Sequence, residues 1–326
     1  MKTSFAAVIA WISFAAFQVR LSANGEKVKT LELRHGEIVL QLGDNSESPG
    51  VLSGVQSLVH TCSADFDAFD PSTAGASAGL NFEHIISGHK NRANRFAPRH
   101  GRYELFKLPD GRSATLLRKR EDSPWDMSSS LTYTLRGPHY IDFEFRCTPH
   151  ARKKFGERGY AICFFANYMH DVQDPAIHFL GVDADGGAEK WTSGEAPDTH
   201  PDWNQGGTFR HAGAAKLEYD ADHDFKLNSW SYDTPLYTKP FYYGRAAKDM
   251  VFMLMFDRDS TAEDEIRFSV FKFKLPKLKR PAWDFQYVMK RLVENKNYGF
   301  KGRLVWKPWI SKEDCLAEYN RWRESL

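Results

Sequence analysis

The first group of residues suited to chemistry lies in a short segment from Tyr140 to Cys147, in which polar and apolar side chains alternate. Because alternate residues of a β-strand point to opposite faces, its polar side chains are expected to share one face. These are Tyr140, Asp142, Glu144 and Arg146. A sheet face lined by acids, a base and a phenol suits a sugar-binding cleft. It equally suits a solvated face on which Glu144 and Arg146 pair.

A second segment, residues 167–179, follows an apolar run, so its polar side chains are expected where a buried strand emerges. His170 and His178 are the best candidates for a general acid or base, because imidazole titrates near neutral pH. Asn167 and Tyr168 lie beside them in the sequence. The alternative is a pair of hydrogen-bonded histidines with a structural role.

Residues 183–213 predict a long loop, and a loop of this length that contains aromatic residues is more often functional than disordered. Aromatic rings stack on sugars, and amide, carboxylate and imidazole groups bind sugar hydroxyls. The candidate binding residues in this loop are Trp191, His200, Trp203, Gln205 and His211. Tyr242 and Tyr243 are expected to extend the same surface.

A basic segment, residues 89–102, includes Arg99 and suits contact with an anionic polymer, although many such segments are solvated loops. The formal net charge of the whole chain is only +2. A nucleic-acid partner is therefore not expected, because nucleic-acid binding is usually accompanied by a strongly basic surface.

No metal site and no cofactor are predicted. Carboxylates alternate at Asp183-x-Asp185 and from Asp220 to Asp224, but neither run completes a twelve-residue calcium loop. A structural calcium ion is the one metal that these residues leave open. The histidines are too dispersed for their spacing to indicate zinc, and HExxH, GxSxG and CxxC motifs are absent.

Four cysteines allow three disulfide pairings: Cys62, Cys147, Cys163 and Cys315. Cys147 and Cys163 fall on consecutive predicted strands, which makes them candidate cross-strand neighbours.

The elements that must position these residues are mainly strands. Alternating patterns mark residues 38–42, 131–135, 140–147 and 266–270, and Pro109-Asp110-Gly111 predicts a hairpin turn. Continuous apolar runs at Ala161–Ala166 and Met250–Phe256 predict strands buried on both faces. Without any β–α–β alternation, the pattern indicates an all-β protein, an antiparallel β-sandwich whose length favours a jelly roll.

The last part of the chain changes character. Pro281 is predicted to open a helix with Phe285, Val288, Met289 and Leu292 on one face. Ser311 followed by Asp314 resembles a capping box and predicts a second helix. We therefore expect a sandwich domain at residues 24–280 and a helical extension at 281–326 that packs on it.

The amino terminus predicts export. Lys2, an apolar run at residues 5–17 and the small residues Ser22 and Ala23 follow the order of a secretory signal peptide, assigned to residues 1–23. Arg20 interrupts this order, which keeps an uncleaved anchor as the alternative. No later run is long enough to span a membrane. The mature protein is expected to be secreted or periplasmic, and the sequence does not determine its oligomeric state.

The strand that begins at Tyr140 resembles two groups of concanavalin A-like jelly-roll, carbohydrate-active proteins. Asp142-x-Glu144 is similar to the second half of the ExDxE strand of laminarinase-like hydrolases. Tyr140, however, stands where those hydrolases carry their nucleophilic Glu, and a retaining hydrolase needs both carboxylates. Glu144-Phe145-Arg146 and Ile177-His178 are similar to the ends of two motifs of jelly-roll alginate lyases. That resemblance implies a lyase that acts on an acidic polysaccharide.

The leading hypothesis is therefore β-elimination on an anionic polysaccharide. In it, Arg146 and Asn167 neutralise the uronate carboxylate, His178 or His170 is the base, and Tyr168 or Tyr242 is the acid. One alternative is a non-catalytic, lectin-like or envelope-associated protein that binds carbohydrate. Another is a glycoside hydrolase that uses Glu144 with Asp142 or Glu83. Whether the protein is an enzyme stays open, and the convergence of the named side chains on one cleft would decide it.

Overall fold

The fold is described by a computed structural model for residues 25–44, 53–69, 79–88, 94–196, 205–223, 234–272 and 281–326. The signal-peptide prediction falls on residues outside these ranges. The strands in them are β1 (Glu26–Val28), β2 (Thr30–His35), β3 (Ile38–Gly43), β4 (Gly54–His60), β5 (Ser63–Asp67), β6 (Asn81–Ile86), β7 (Glu104–Lys107), β8 (Ser113–Arg118), β9 (Met127–Arg136), β10 (Tyr140–Pro149), β11 (Ala161–Ala166), β12 (Val172–Asp183), β13 (Gly186–Gly194), β14 (Gln205–Phe209), β15 (Leu236–Tyr237), β16 (Phe241–Ala246), β17 (Met250–Phe256), β18 (Asp264–Lys272), β19 (Pro281–Met289) and β20 (Tyr298–Pro308). The α-helix α1 spans Lys312–Glu324, and short 3-10 helices span Arg120–Asp122 and Arg152–Phe155. Among the described residues, no helix combines the length and apolar character needed to cross a membrane.

The strands form three antiparallel sheets, which confirms the predicted all-β, antiparallel class. The first sheet has the order β1-β7-β8-β9-β10-β20-β17-β16-β12-β13, with β15 paired to β12. The second has the order β14-β18-β19-β11-β6, and the third has the order β2-β3-β4-β5. A jelly-roll, concanavalin A-like topology stays a prediction.

An aromatic core joins the inward faces of the first and second sheets. Phe145 on β10 lies 5.0 Å from Phe165 on β11, measured between ring centroids, and Phe165 stacks on Phe285 of β19 at 4.8 Å. Apolar residues of the third sheet, such as Leu40 and Leu58, belong to the same core. Burial of this apolar surface is the main force that holds the sheets together.

Helix α1 packs on the outward face of the first sheet, over β16, β17 and β20. Cys315, Tyr319 and Trp322 are buried against a separate apolar cluster that includes Met253 and Val305. The prediction of a helix capped by Ser311 is confirmed. The side-chain hydroxyl of that residue accepts a hydrogen bond from the Asp314 amide at 3.1 Å and thereby satisfies an otherwise unpaired N–H.

The helix predicted to begin at Pro281 is wrong. Residues 281–289 form β19, which lies between β18 and β11 and is buried at every position. Trp283, Phe285 and Tyr287 point into the main core, whereas Val288 belongs to a cluster on the opposite face. Phe285, Val288, Met289 and Leu292 recur at three- and four-residue spacing and so imitate one face of a helix, although Asp284 and Gln286 alternate with aromatic residues as in a strand. The sheets therefore continue to Pro308.

Two further expectations are corrected. Where it is described, the segment 183–213 is largely strand, because it contains β13 and β14. Cys147 and Cys163 are not cross-strand neighbours, because β10 pairs with β9 and β20 whereas β11 pairs with β19 and β6. All four cysteines are free thiols.

Candidate functional site

The predicted polar face of β10 exists, but its charges are paired. Asp142 accepts hydrogen bonds from Arg303 at 2.6 Å and from Arg136 at 3.2 Å. Glu144 accepts a hydrogen bond from Arg146 Nε at 2.7 Å. Asp142, Glu144 and Arg136 line a groove of about 260 Å³ beside the end of α1. The groove can bind a polar ligand, but its carboxylates already have cationic partners.

The second predicted group, around His178, lies elsewhere on the same outward face. His178 Nε2 is 2.8 Å from Asp174, and its ring stacks on Tyr243 with 5.1 Å between centroids. Trp191 packs edge-on against the same tyrosine at 5.7 Å, and Trp309 lies 5.2 Å from it. The structure thus collects three of the predicted residues into an aromatic strip.

The polar face of β10 and this aromatic strip do not form one site. Strand β12, which carries His178, is four strand spacings from β10, or about 19 Å at the usual separation of paired strands. Helix α1 covers the strands between them. His170 is in a third place, where its ring stacks on Phe66 at 5.3 Å and Nδ1 lies 3.1 Å from the Asp67 carbonyl oxygen. The histidines do not converge on Glu144 and Arg146.

Two further predicted site residues, Asn167 and Tyr242, have structural roles. Asn167 is fully buried, and its side chain accepts the Leu80 amide proton at 2.8 Å and donates to the Trp283 carbonyl at 2.8 Å. The Tyr242 hydroxyl, also fully buried, donates to the same Trp283 carbonyl oxygen at 2.8 Å. Neither side chain is available to a substrate, because both are enclosed and bonded to backbone.

The remaining residues of the predicted loop are dispersed. His211 lies 3.5 Å from Asp259 and against the ring of Tyr237. The predictions for His200 and Trp203 lie outside the described residues, and Gln205 is described only through the backbone of β14.

The calcium candidates have other partners. Asp183 pairs with Lys190 at 2.7 Å in the β12–β13 hairpin, and the Asp220 carboxylate accepts the Arg158 amide proton at 2.9 Å. Asp224 lies outside the described residues. A structural calcium ion at either run stays an untested expectation.

The strongest concentration of chemistry lies on the outward face of the second sheet, which we call the buried polar face. The strand register places four side chains in one row across β6, β11, β19 and β18: His84, Phe164, Gln286 and Arg267. Asp284 and Ser269 form the next row. An outward sheet face is normally solvated, yet all six of these residues are buried. Buried polar groups are costly unless they are paired or serve a function.

One end of the buried polar face is an acid–base cluster built around Glu83. Glu83 Oε1 lies 3.4 Å from Arg99 Nη1 and 4.0 Å from His84 Nδ1. The Tyr168 hydroxyl donates a hydrogen bond to the Glu83 carboxylate. The Arg99 guanidinium also lies 5.8 Å from the Tyr168 ring centroid. Here the structure brings together two predicted residues, Arg99 and Tyr168, with Glu83, the proposed second carboxylate.

The electrostatics of this cluster are strongly perturbed. Burial raises the pKa of Glu83, although Arg99 opposes the shift. Burial also raises the pKa of Asp284 well above its usual range, and the nearby Glu83 carboxylate adds to the effect. The pKa of His84 is lowered to about 3 by burial and by the positive charges of Arg95 and Arg99. The cluster therefore combines a neutral imidazole, a carboxyl that binds protons readily and a cationic rim.

The other end of the face holds a fully buried ion pair. Arg267 Nε donates to Glu265, and its Nη1 donates to the Tyr219 hydroxyl at 3.0 Å. Lys290 Nζ lies 3.4 Å from the second oxygen of Glu265. Gln286 donates to Thr208 at 3.2 Å, while its Oε1 has no hydrogen-bond partner among the described residues. Charges enclosed to this extent are strongly destabilising when unpaired, so the pairs fix the geometry of the face.

Sequence reasoning missed most of this face. Asp284 and Gln286 alternate with aromatic residues, a pattern typical of a strand with a polar face, but the three- and four-residue spacing of the later apolar residues favours a helix. His84 adjoins Glu83 in the sequence, yet nothing in their spacing connects them to Tyr168 or Asp284.

Comparison with known proteins gives distant similarities. No family model and no curated protein matches the chain. Among solved structures, a GalM/aldose epimerase homologue from C. elegans is similar over 88% of this chain and 100% of its own, with a TM-score of 0.44 and 11% identity. A mutant of heparan sulfate lyase HepC from Pedobacter heparinus is similar over 88% of this chain and 37% of its own (TM-score 0.45, 9% identity). The galactosidase domain of alpha-galactosidase-sucrose kinase AgaSK is similar over 86% of this chain and 42% of its own, with a TM-score of 0.41 and 9% identity. Similarity at this level carries no information on activity.

Proposed function

We propose that the protein is a carbohydrate-acting enzyme that cleaves an acidic polysaccharide by β-elimination at the acid–base cluster around Glu83. The observation that carries this proposal is geometric: Arg99 Nη1 lies 3.4 Å and His84 Nδ1 lies 4.0 Å from Glu83 Oε1, and the Tyr168 hydroxyl bonds to the same carboxylate. A cationic rim favours a substrate that bears carboxylates. Burial and the charges of Arg95 and Arg99 weaken His84 as a base, and a bound carboxylate would offset those charges.

The roles follow from the positions of the side chains. Arg99 is the most exposed of the three groups that surround Glu83, with 27% of its side chain accessible, so it can meet a uronate carboxylate first. Glu83 in its protonated form can donate a hydrogen bond to the same carboxylate. Both contacts offset the charge that develops when the proton α to the carboxylate is removed.

The elimination then needs one base and one acid. His84 takes the proton from the carbon α to the carboxylate, and the electron pair of that C–H bond forms the new C=C bond. The glycosidic C–O bond at the β carbon breaks, and the leaving oxygen takes the proton of the Tyr168 hydroxyl. Burial raises the pKa of Tyr168, which keeps this hydroxyl protonated until the leaving group demands its proton. Binding of the uronate also weakens the positive field at His84 and makes it a stronger base.

The experiment is a panel of uronate-containing polysaccharides incubated with the purified full chain and followed by the ultraviolet absorbance of the unsaturated product. We expect activity on at least one polymer and its loss in His84→Ala. His150→Ala serves as the matched control, because that histidine is hydrogen-bonded to Ser128 and Asn295, which do not belong to the cluster. New reducing ends without unsaturated product would replace the proposal with hydrolysis by Glu83 and Asp284. Activity that survives in His84→Ala but fails in His178→Ala would move the site to the aromatic strip.

A non-catalytic alternative is favoured by the groove beside α1. Its lining combines the hydroxyls of Thr132 and Thr134 with Asp142, Glu144 and the indole of Trp322, a set that suits binding of sugar hydroxyls. Polysaccharide retention that is abolished by Asp142→Asn, in a protein without turnover on any polymer of the panel, would support a lectin-like protein instead.

A further inference from the structure

A compact group of metal-ligand side chains lies away from the buried polar face, where the third sheet meets the β9–β10 turn. Glu37 Oε2 is 3.2 Å from His60 Nε2 and 3.2 Å from His139 Nδ1. One ligand atom from each residue lies within 4.8 Å of the other two. Neighbouring ligand atoms of a tetrahedral zinc site are separated by about 3.3 Å, given metal–ligand bonds of about 2.0–2.1 Å.

The backbone holds these three residues together. The Glu37 amide donates to the Pro138 carbonyl at 2.6 Å, and the Thr61 amide donates to the Glu37 carbonyl at 2.9 Å. Gly36 has a φ of +59°, and a Cβ there would lie 2.3 Å from the Pro138 carbonyl oxygen. Only glycine allows this close approach, so the turn that carries Glu37 is built against the turn that carries His139.

A second carboxylate supports one of the histidines from behind. His139 Nε2 faces Glu318 of α1 at 3.6 Å, while its Nδ1 faces Glu37. Glu318 is itself held by the Tyr140 hydroxyl at 2.9 Å and by Lys307. A carboxylate that orients the far nitrogen of a histidine is the usual outer contact of protein zinc sites.

We infer that Glu37, His60 and His139 bind a divalent transition-metal ion, with Zn²⁺ the best match. Two imidazoles and one carboxylate form an established zinc ligand set, which leaves a fourth position for water. The ion would join the third sheet, the β9–β10 turn and, through Glu318, helix α1. This site is independent of the proposed elimination activity, because none of its ligands belongs to the cluster around Glu83.

The position of the His60 ring proton gives the inferred site a specific consequence for the neighbouring backbone. His60 Nδ1 accepts the Cys62 amide proton at 3.1 Å, so Nε2 carries the proton of the neutral ring. Coordination through Nε2 requires the proton to move to Nδ1, which then faces another N–H group. The exposed turn at Thr61 and Cys62 must therefore rotate, and the Cys62 amide loses its hydrogen bond.

The test uses the purified full chain, freed of metal with a chelator and titrated with Zn²⁺ by calorimetry and with Co²⁺ by visible absorption. We expect one ion per chain and a tetrahedral Co²⁺ spectrum. Affinity should fall at least tenfold in Glu37→Gln and His139→Ala, and roughly 10–100-fold in Glu318→Gln. His150→Ala is the control and should bind as wild type does. Glu37 is half-exposed on a turn, so its amide variant should retain the fold, which circular dichroism checks.

Hydrogen exchange provides the second measurement. We expect Zn²⁺ to accelerate exchange of the Cys62 amide while protecting the surrounding strands. Failure of Zn²⁺ and Co²⁺ to bind, or binding that persists unchanged in Glu37→Gln and His139→Ala, would overturn the inference. Zinc binding without any change in exchange at the Cys62 amide would show that His60 is not a ligand. The inferred three-residue site would then be wrong.

Discussion

Glu83 Oε1 and Arg99 Nη1 are 3.4 Å apart, but the two side chains differ in exposure, with 7% accessible for Glu83 and 27% for Arg99. The cation therefore reaches solvent while the carboxyl is enclosed. An adjacent guanidinium normally lowers the pKa of a carboxyl, yet burial is the larger effect here and raises it. A carboxyl that can be protonated, held next to a cation that can meet an anion, is the basis of the proposed activity.

The first prediction concerns stability and pH. The pKa of Glu83 in the folded chain lies above the ordinary value of 4.5, so the folded state binds more protons than the unfolded state above that pH. The contribution of this carboxyl to stability is consequently lost as pH rises from 4.5 toward neutrality. We expect Glu83→Gln to gain stability relative to wild type over this interval, as measured by urea unfolding at several pH values.

Glu104→Gln is the matched control for that measurement. Burial opposes the shift, but hydrogen bonds from Lys27 and Lys119 lower the pKa of Glu104. The variant should therefore lose stability relative to wild type as pH rises, which is the opposite sign. Parallel behaviour of the two variants would contradict the assignment at Glu83.

The second prediction separates catalysis from binding. Tyr168→Phe removes the proposed acid but keeps the ring beside Arg99. We expect kcat to fall by roughly 10²–10⁴-fold with little change in KM, the usual effect of removing a general acid. Steady-state rates on the polymer identified by the panel provide the measurement. An increase in KM alone would assign Tyr168 to substrate binding.

The third prediction concerns the attachment of α1. Trp322 is 5% exposed and lies in the apolar cluster between the helix and the first sheet. Trp322→Ala should lower the free energy of unfolding by about 3–5 kcal/mol, because it removes a large buried side chain and leaves a cavity. Asn320→Ala, at an exposed position of the same helix, should change it by less than about 0.5 kcal/mol. Similar urea midpoints for both variants would show that α1 contributes little to stability.

The fourth prediction concerns the start of α1. Ser311→Ala removes the hydroxyl that accepts the Asp314 amide proton, and it should cost about 1 kcal/mol in urea unfolding. Ser311→Asp restores an acceptor at the same place and should recover most of that loss. Equal destabilisation by both substitutions would argue against capping as the cause.

Local patterns in the sequence determined much of the fold. The alternation from Tyr140 to Cys147 gave the strand and the face of each side chain, and the apolar run at Met250–Phe256 gave a strand buried on both faces, as the structure confirms. Ser311 with Asp314 located α1. Each of these depends on neighbours within a few residues, and the period of the backbone carries that information directly.

The tertiary structure alone decided which side chains meet. Residues 281–289 show why an element can be misassigned: their apolar residues fit helical spacing, while Asp284 and Gln286 alternate with aromatic residues as in a strand. The pairing of β19 with β18 and β11 decides for the strand. Glu83 and Asp284 are 201 residues apart in the sequence, and their proximity depends on the order of strands in the second sheet. His139 is brought to Glu37 and His60 in the same way, by contact between two turns. Strand order follows from the packing of whole sheets against a shared core, so no local pattern could predict these encounters.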